Sequence, residues 1–182
     1  MFEFVTNKII MGVVSAGMLL FSSYEGNEVK FSSPQLIVNE NSYYLSTNLE
    51  SAFDNSFEEI LKSGEEIFID FELKMEKNPW DFKTITFYHS TQYNSMNKSY
   101  TVRLDEQQQF QQVNDFANLV SLLSHVNMQW EEYELEVSKL TLSASIRNVR
   151  LPSLDKQYNM MMLWNFKQPT LKIDLRDYQN EN

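Results

Sequence analysis

The stretch "EEIFIDFELKME", residues 65–76, decides how this chain folds. Ile67, Ile69, Phe71, Leu73 and Met75 recur at every second position, and Phe68, Asp70, Glu72 and Lys74 occupy the positions between. Side chains of an extended strand point alternately to its two sides, so this pattern gives one buried face and one mostly wet face, as antiparallel sheets require. "KNPWD", residues 77–81, reads as the turn that follows. Pro79 restricts Asn78 and removes a ladder hydrogen bond, which suits a bend rather than a strand interior.

The same alternation recurs on both sides of this strand. "FKTITFYHSTQY" (82–93) and "KSYTVRL" (98–104) flank the turn formers of Asn94–Asn97 and read as a hairpin. Upstream, "LIVNENSYYLSTNL" (36–49) reads as strand, turn and strand, with Tyr43, Leu45, Thr47 and Leu49 on one face. Downstream, "QWEEYELEVSKLTLSASIRNVRLP" (129–152) returns to period two, with Leu140, Leu142, Ala144 and Ile146 aligned; its length allows one long strand or two short ones. Pro152 ends it. "PTLKIDL" (169–175) closes the series, with Leu171, Ile173 and Leu175 alternating.

Helical spacing interrupts these strands twice. Phe53, Phe57, Ile60 and Leu61 form one apolar stripe, with Gly64 placed as a C-cap. Phe116, Leu119, Val120 and Leu123 give the i, i+3, i+4, i+7 pattern of a second helix, capped by Asn114. "DEQQQFQQV" (105–113) reads as a polar excursion docked by Phe110 and Val113. "SLDKQYNMMMLWNF" (153–166) is ambiguous: Leu154, Tyr158 and Met161 suit either a helix face or a loose crossing segment. Met160–Met162 read as irregular core filling rather than a redox site. The fold class is therefore mainly β with a few short helices, an antiparallel β-sandwich or a curved sheet covered by helices.

The 182 residues suit one domain, and 42% hydrophobic residues are enough for a core. The formal net charge of -10 repels nucleic acid and anionic lipid, so neither is expected as a direct partner. The chain has no cysteine, which excludes disulfides, Cys nucleophiles and Cys-zinc sites. At the N-terminus, Lys8 precedes an apolar run from Ile9 to Phe21. That run fits the core of a signal peptide and falls short of the roughly 20 residues that span a bilayer. It implies export, with the segment either cleaved or kept as a marginal inner-membrane anchor; a buried first helix of a cytoplasmic protein is the alternative. Residues 1–34 accordingly read as signal or anchor plus linker, 35–176 as a single β-rich domain, and 177–182 as a polar tail.

Few residues offer chemistry. His89 and His125 are isolated and lack metal-ligand spacing, so His89 reads as a structural or surface residue and His125 as lying near a helix end. Glu131, Glu132, Glu134 and Glu136 gather carboxylates, but a strand's solvent face supplies no contrast in pKa for acid–base work, and no calcium-loop pattern accompanies them. No catalytic residue, cofactor or metal site is expected. Exposed aromatics are the remaining currency of recognition, and Trp80, Tyr93, Tyr100 and Trp130 are the candidate partner contacts.

The stretches "TITFYHSTQYNSMNKSYTVRL", "FANLVSLLSHV", "SIRNVRLPSL" and "MLWNFKQPTLKIDL" together resemble a bacterial envelope-protein family, domain of unknown function 4390. The resemblance runs from about residue 35 to 175. Trp80 stands where members carry an aromatic near the middle hairpin. Tyr93, Ser95, Lys98 and Tyr100 match the hairpin, Asn114–Leu123 the helix, and Leu151, Pro152 and Trp164 the C-terminal arrangement. The chain departs from the family in its low arginine content, in Asn94 and Met96, and in lacking a second C-terminal Trp. The resemblance implies a mostly antiparallel fold and a periplasmic location, and carries no activity. The expected function is a non-catalytic envelope protein that binds an envelope or membrane protein partner, or supports an envelope assembly. The alternative is a carrier of a lipid-like or other apolar ligand, lined in part by the Met-rich segment.

Overall fold

The computed structural model describes residues 26–39, 42–54, 57–131, 137–151 and 156–176. Two antiparallel sheets pack face to face as a sandwich. The larger has six strands: β4 (Ile67–Asn78), β5 (Asp81–Asn94), β6 (Ser99–Leu104), β7 (Gln109–Val113), β9 (Lys139–Ile146) and β12 (Thr170–Asp174), in the order β12-β9-β4-β5-β6-β7. The smaller centres on β3 (Ser42–Glu50), which pairs with β1 (Lys30–Phe31), β2 (Gln35–Asn39) and β8 (His125–Glu131). β10 (Val149–Leu151) and β11 (Lys156–Tyr158) form a separate two-stranded pair.

The alternation in residues 67–76 sets the layers. Ile67, Ile69, Phe71, Leu73 and Met75 are all buried between the sheets. Full burial of each such side chain is worth about 1.5–3 kcal/mol, so this strand alone fixes its register: a slip of one residue would put Asp70 and Glu72 in the core. Phe71 lies opposite Phe87 on β5 and stacks on it at 5.0 Å between centroids. In the other sheet, Tyr43 lies opposite Trp130 and stacks at 5.4 Å. Such cross-strand aromatic pairs add to the stability that burial alone provides.

The stretch expected as one long strand or two is two, and they belong to different sheets. β8 pairs with β3, whereas β9 pairs with β4 and β12. Residues 132–136, which include Glu132, Glu134 and Glu136, lie outside the described residues, as does Pro152.

Two helices form where the apolar spacing placed them. The first, α1 (Phe57–Leu61), is shorter than its stripe: Phe53 lies in the preceding turn, though still in the core. Gly64 follows at φ 87°, the left-handed region where glycine is least strained. The second, α2 (Phe116–Ser124), is capped by Asp115 rather than Asn114, because the Asp115 side chain is the one that accepts a bond from the Asn118 amide. His125 is its C-cap and opens β8. From residue 156 the ambiguous segment is β11 followed by a 3-10 turn, Met160–Trp164, that packs into the core; Leu154 lies outside the described residues. Met160, Leu163 and Trp164 are buried there, and the Ile146 amide donates to the Met161 sulfur at 3.2 Å.

Packing starts upstream of Gln35. Asn27 is buried; its amide donates to the Leu163 carbonyl at 2.7 Å and its side chain donates to the Ala52 carbonyl at 3.1 Å. The Trp164 indole donates to that same carbonyl at 3.0 Å. At Gly26 a Cβ would stand 2.3 Å from Asn165 Oδ1 and 2.6 Å from the Met162 carbonyl, so only glycine fits. Residues 26–31, read from composition as linker, therefore tie the 3-10 turn to the sandwich.

Candidate functional site

The outward face of the large sheet carries a groove of about 430 Å³, within the size range of ligand sites. Strand register lays its floor as a small grid. Glu72 sits between Thr86 on β5 and Ser143 on β9, and Asp70 sits between Tyr88 and Ser145. Short hydroxyl side chains on β9 leave open space beside the two carboxylates. Asp105 comes from the β6–β7 turn, Arg147 from just after β9, and Gln168 from just before β12.

Arg147 is held rigidly. Its Nε donates to Asp70 Oδ2 at 3.0 Å, and a second guanidinium nitrogen donates to Asp70 Oδ1, a bidentate fork. Hydrogen bonding to Asp70 raises the Arg147 pKa further above its already high ordinary value, so the cation is permanent. The guanidinium also lies over the Phe68 ring at 4.3 Å and reaches Tyr88 at 5.6 Å. Arg103 repeats the motif one strand on: it lies 4.9 Å over Tyr88 and 5.3 Å from Phe110, and pairs with Asp105 at 3.1 Å. Phe68, Arg147, Tyr88, Arg103 and Phe110 thus alternate ring and cation across the sheet. Each such contact is worth about 0.5–1 kcal/mol at an exposed site. Phe110 ends the row with 70% of its surface exposed.

The four aromatics singled out from sequence do not converge. Trp80 is at the β4–β5 turn and 94% exposed. Tyr93 is half-buried and packs against Tyr100 at 4.9 Å. Tyr100 and Trp130, at 2% and 9% exposure, are core residues and present no contact surface. Both fall on inward strand positions: Tyr100 shares its face with Val102 and Leu104, and Trp130 shares its face with Val126 and Met128. Burial also pushes the Tyr100 phenol pKa up. Residues 68, 70, 88, 103 and 147 escaped the sequence reading, because their proximity depends on pairing between strands far apart in the chain.

His89 is sealed inside. Its Nδ1 lies 2.9 Å from the Leu123 carbonyl and its Nε2 lies 3.0 Å from Glu106 Oε1, and it has no exposed surface. A carbonyl only accepts, so Nδ1 carries a proton, and a further proton lies between Nε2 and Glu106. The ring packs 4.7 Å from Phe71. His125, in contrast, reaches Asn48 Oδ1 from Nδ1 at 3.1 Å near the surface. Among the described residues no group of three or more His, Asp or Glu side chains is placed to hold a metal ion.

A family model described as Domain of unknown function (DUF4390) matches residues 26–167. The chain belongs to that family. The DUF4390 match opens at Gly26, the residue whose missing side chain lets the N-terminal segment dock, and spans β1 through β11 with the 3-10 turn. It contains every groove residue named above except Gln168. No curated protein and no solved structure matches this DUF4390 chain. Among the described residues no helix is long and apolar enough to cross a membrane, and the apolar run Ile9–Phe21 lies outside them.

Proposed function

We propose that this chain is a non-catalytic protein of the bacterial envelope, exported to the periplasm, that recognises a protein partner with the outward face of its six-stranded sheet. The observation that carries the reading is the row Phe68–Arg147–Tyr88–Arg103–Phe110 beside an open groove. Arginine and tyrosine dominate the energetics of protein interfaces, and here both arginines are already immobilised by carboxylates and rings. Little rotamer freedom is left to lose on binding. The polar lining of Asp70, Glu72, Ser143 and Ser145 favours a peptide or protein surface over an apolar ligand.

The periplasmic location rests on the Lys8–Phe21 pattern and on the family resemblance. Affinity capture of tagged full-length protein from envelope extracts tests both parts. Wild type should retain one stoichiometric protein, and Arg147→Ala with Phe110→Ser should lose it while keeping the fold. Equal capture by wild type and the double variant refutes the sheet-face assignment. Recovery of the protein in the cytosolic fraction refutes the location.

A further inference from the structure

The β4–β5 hairpin carries a second surface, with chemistry unlike the rest of the molecule. β9 stops opposite Glu76 and β6 reaches back only to Asn94–His89, so the hairpin tip projects beyond its neighbours. Asn78–Pro79–Trp80–Asp81 forms the turn, with Asn78 paired to Asp81 across it. Asn78 Oδ1 accepts the Trp80 amide at 3.0 Å, and Pro79 fixes its own φ, so the turn is pre-shaped. It holds Trp80 almost wholly in water, with Phe82 half exposed beside it and Lys74 Nζ 4.3 Å over the Phe82 ring.

Charge at this end runs against the whole chain. Among the described residues, Lys74 pairs with Glu76 and Arg176 with Asp174, and Lys83, Lys139 and Lys172 stand beside them with Asp81, in a protein of net charge -10. The global charge therefore misrepresents this end. Exposed Trp and Phe ringed by lysine is the combination that sits at the headgroup level of an anionic bilayer, where aromatic rings anchor and lysines meet lipid phosphates. The apolar area suits such a surface better than a protein partner. Trp80 and Phe82 offer on the order of 300 Å² together, well under the roughly 800 Å² per side of a stable protein interface.

We infer that the 78–83 hairpin tip docks reversibly on an anionic lipid surface, with the Trp80 ring inserted among the headgroups. This contact is separate from the sheet-face interface. Gly26 docks at the 3-10 turn beside Ile146, whereas the tip lies beyond Lys139. The seven steps of β9 between residues 139 and 146 span roughly 23 Å at about 3.3 Å each.

Tryptophan emission of the full-length protein reads this contact directly, since Trp130 and Trp164 are buried. Vesicles containing phosphatidylglycerol with brominated acyl chains should blue-shift and quench the Trp80 signal, and neutral phosphatidylcholine vesicles should not. Lys83→Glu with Lys139→Glu should lower the vesicle affinity more than tenfold, and Trp80→Phe should remove the quenching while leaving the fold unchanged. Vesicle binding that leaves Trp80 unquenched, as through the N-terminal apolar run, overturns the inference. Equal quenching by neutral and anionic vesicles overturns it too, as does a cross-linker at position 80 that labels an acidic protein instead of lipid. None of these failures would touch the sheet-face reading, whose test is capture through Arg147 and Phe110.

Discussion

Replacing His89 by Phe removes one half of a buried polar pair and leaves the other half in place. Glu106 would keep its bond from Gln107 at 3.0 Å, but Oε2 is already buried without a hydrogen-bond partner and Oε1 would lose the imidazole. Stranding one member of a buried pair costs about 3–5 kcal/mol. The bond to the Leu123 carbonyl adds about 1 kcal/mol. The reciprocal change, Glu106→Leu, leaves a neutral imidazole with one unmet nitrogen and costs about 1–3 kcal/mol. With both replaced, neither polar partner of that bond remains to be stranded. The double variant should then lose only about 1–2 kcal/mol, chiefly the Leu123 bond. The coupling in the cycle is thus at least about 2 kcal/mol. Urea unfolding followed by circular dichroism measures all three variants. His89→Phe should also melt roughly 10–20 °C lower, given about 2–4 °C per kcal/mol for a chain of this size. If the two single variants add to give the double, or if each lies within about 0.5 kcal/mol of wild type, the pair does not hold the helix end and the β6–β7 turn to the sheet.

Two further outcomes follow from local geometry. Gly26→Ala should unseat the N-terminal segment, because the new methyl group meets backbone atoms of residues 162 and 165 that cannot yield. Hydrogen exchange at the Asn27 amide, bonded to Leu163 in the wild type, should speed up at least tenfold while β4 amides stay protected; unchanged exchange would mean the segment docks by other contacts. Arg176 bonds Asp174 through its side chain and backbone amide and holds the carboxyl pKa down to about 2. With the folded value depressed, the contribution to stability is present above the ordinary aspartate value near ~3.9 and is lost as pH falls through about 2. Carboxyl NMR titration should find Asp174 near that value and should find it back in the ordinary range in Arg176→Gln; an unshifted wild-type titration would show that the pair is not formed in solution.

The fold was legible in the sequence wherever periodicity was strong. Residues 67–75 alternate without a break, and the structure buries every second one. The spacing at residues 116–123 located α2, though not its cap: Asn114 and Asp115 are both good capping residues, and only backbone geometry picks the second. Residues 26–31 were not legible as structure. Their composition is that of a linker, and their stability comes from fitting against Ala52, Leu163 and Asn165, none of them local. The candidate contacts divided for a related reason. An aromatic in a strand reads the same whether it faces core or solvent, and Tyr100 and Trp130 were settled inward by the strands that pair with theirs.

By itself, the sequence determined a two-faced antiparallel sheet braced by two short helices, because alternation and helical spacing are properties of neighbours along the chain. Tertiary structure alone decided that β8 and β9 enter different sheets, that Arg147 comes to rest between Phe68 and Tyr88, and that a lysine-rich tip stands out from an acidic molecule. Those are properties of strand pairing. Pairing brings residue 147 to residues 70 and 88, and residues 139 and 172 to residue 76, through contacts that no local stretch of sequence records.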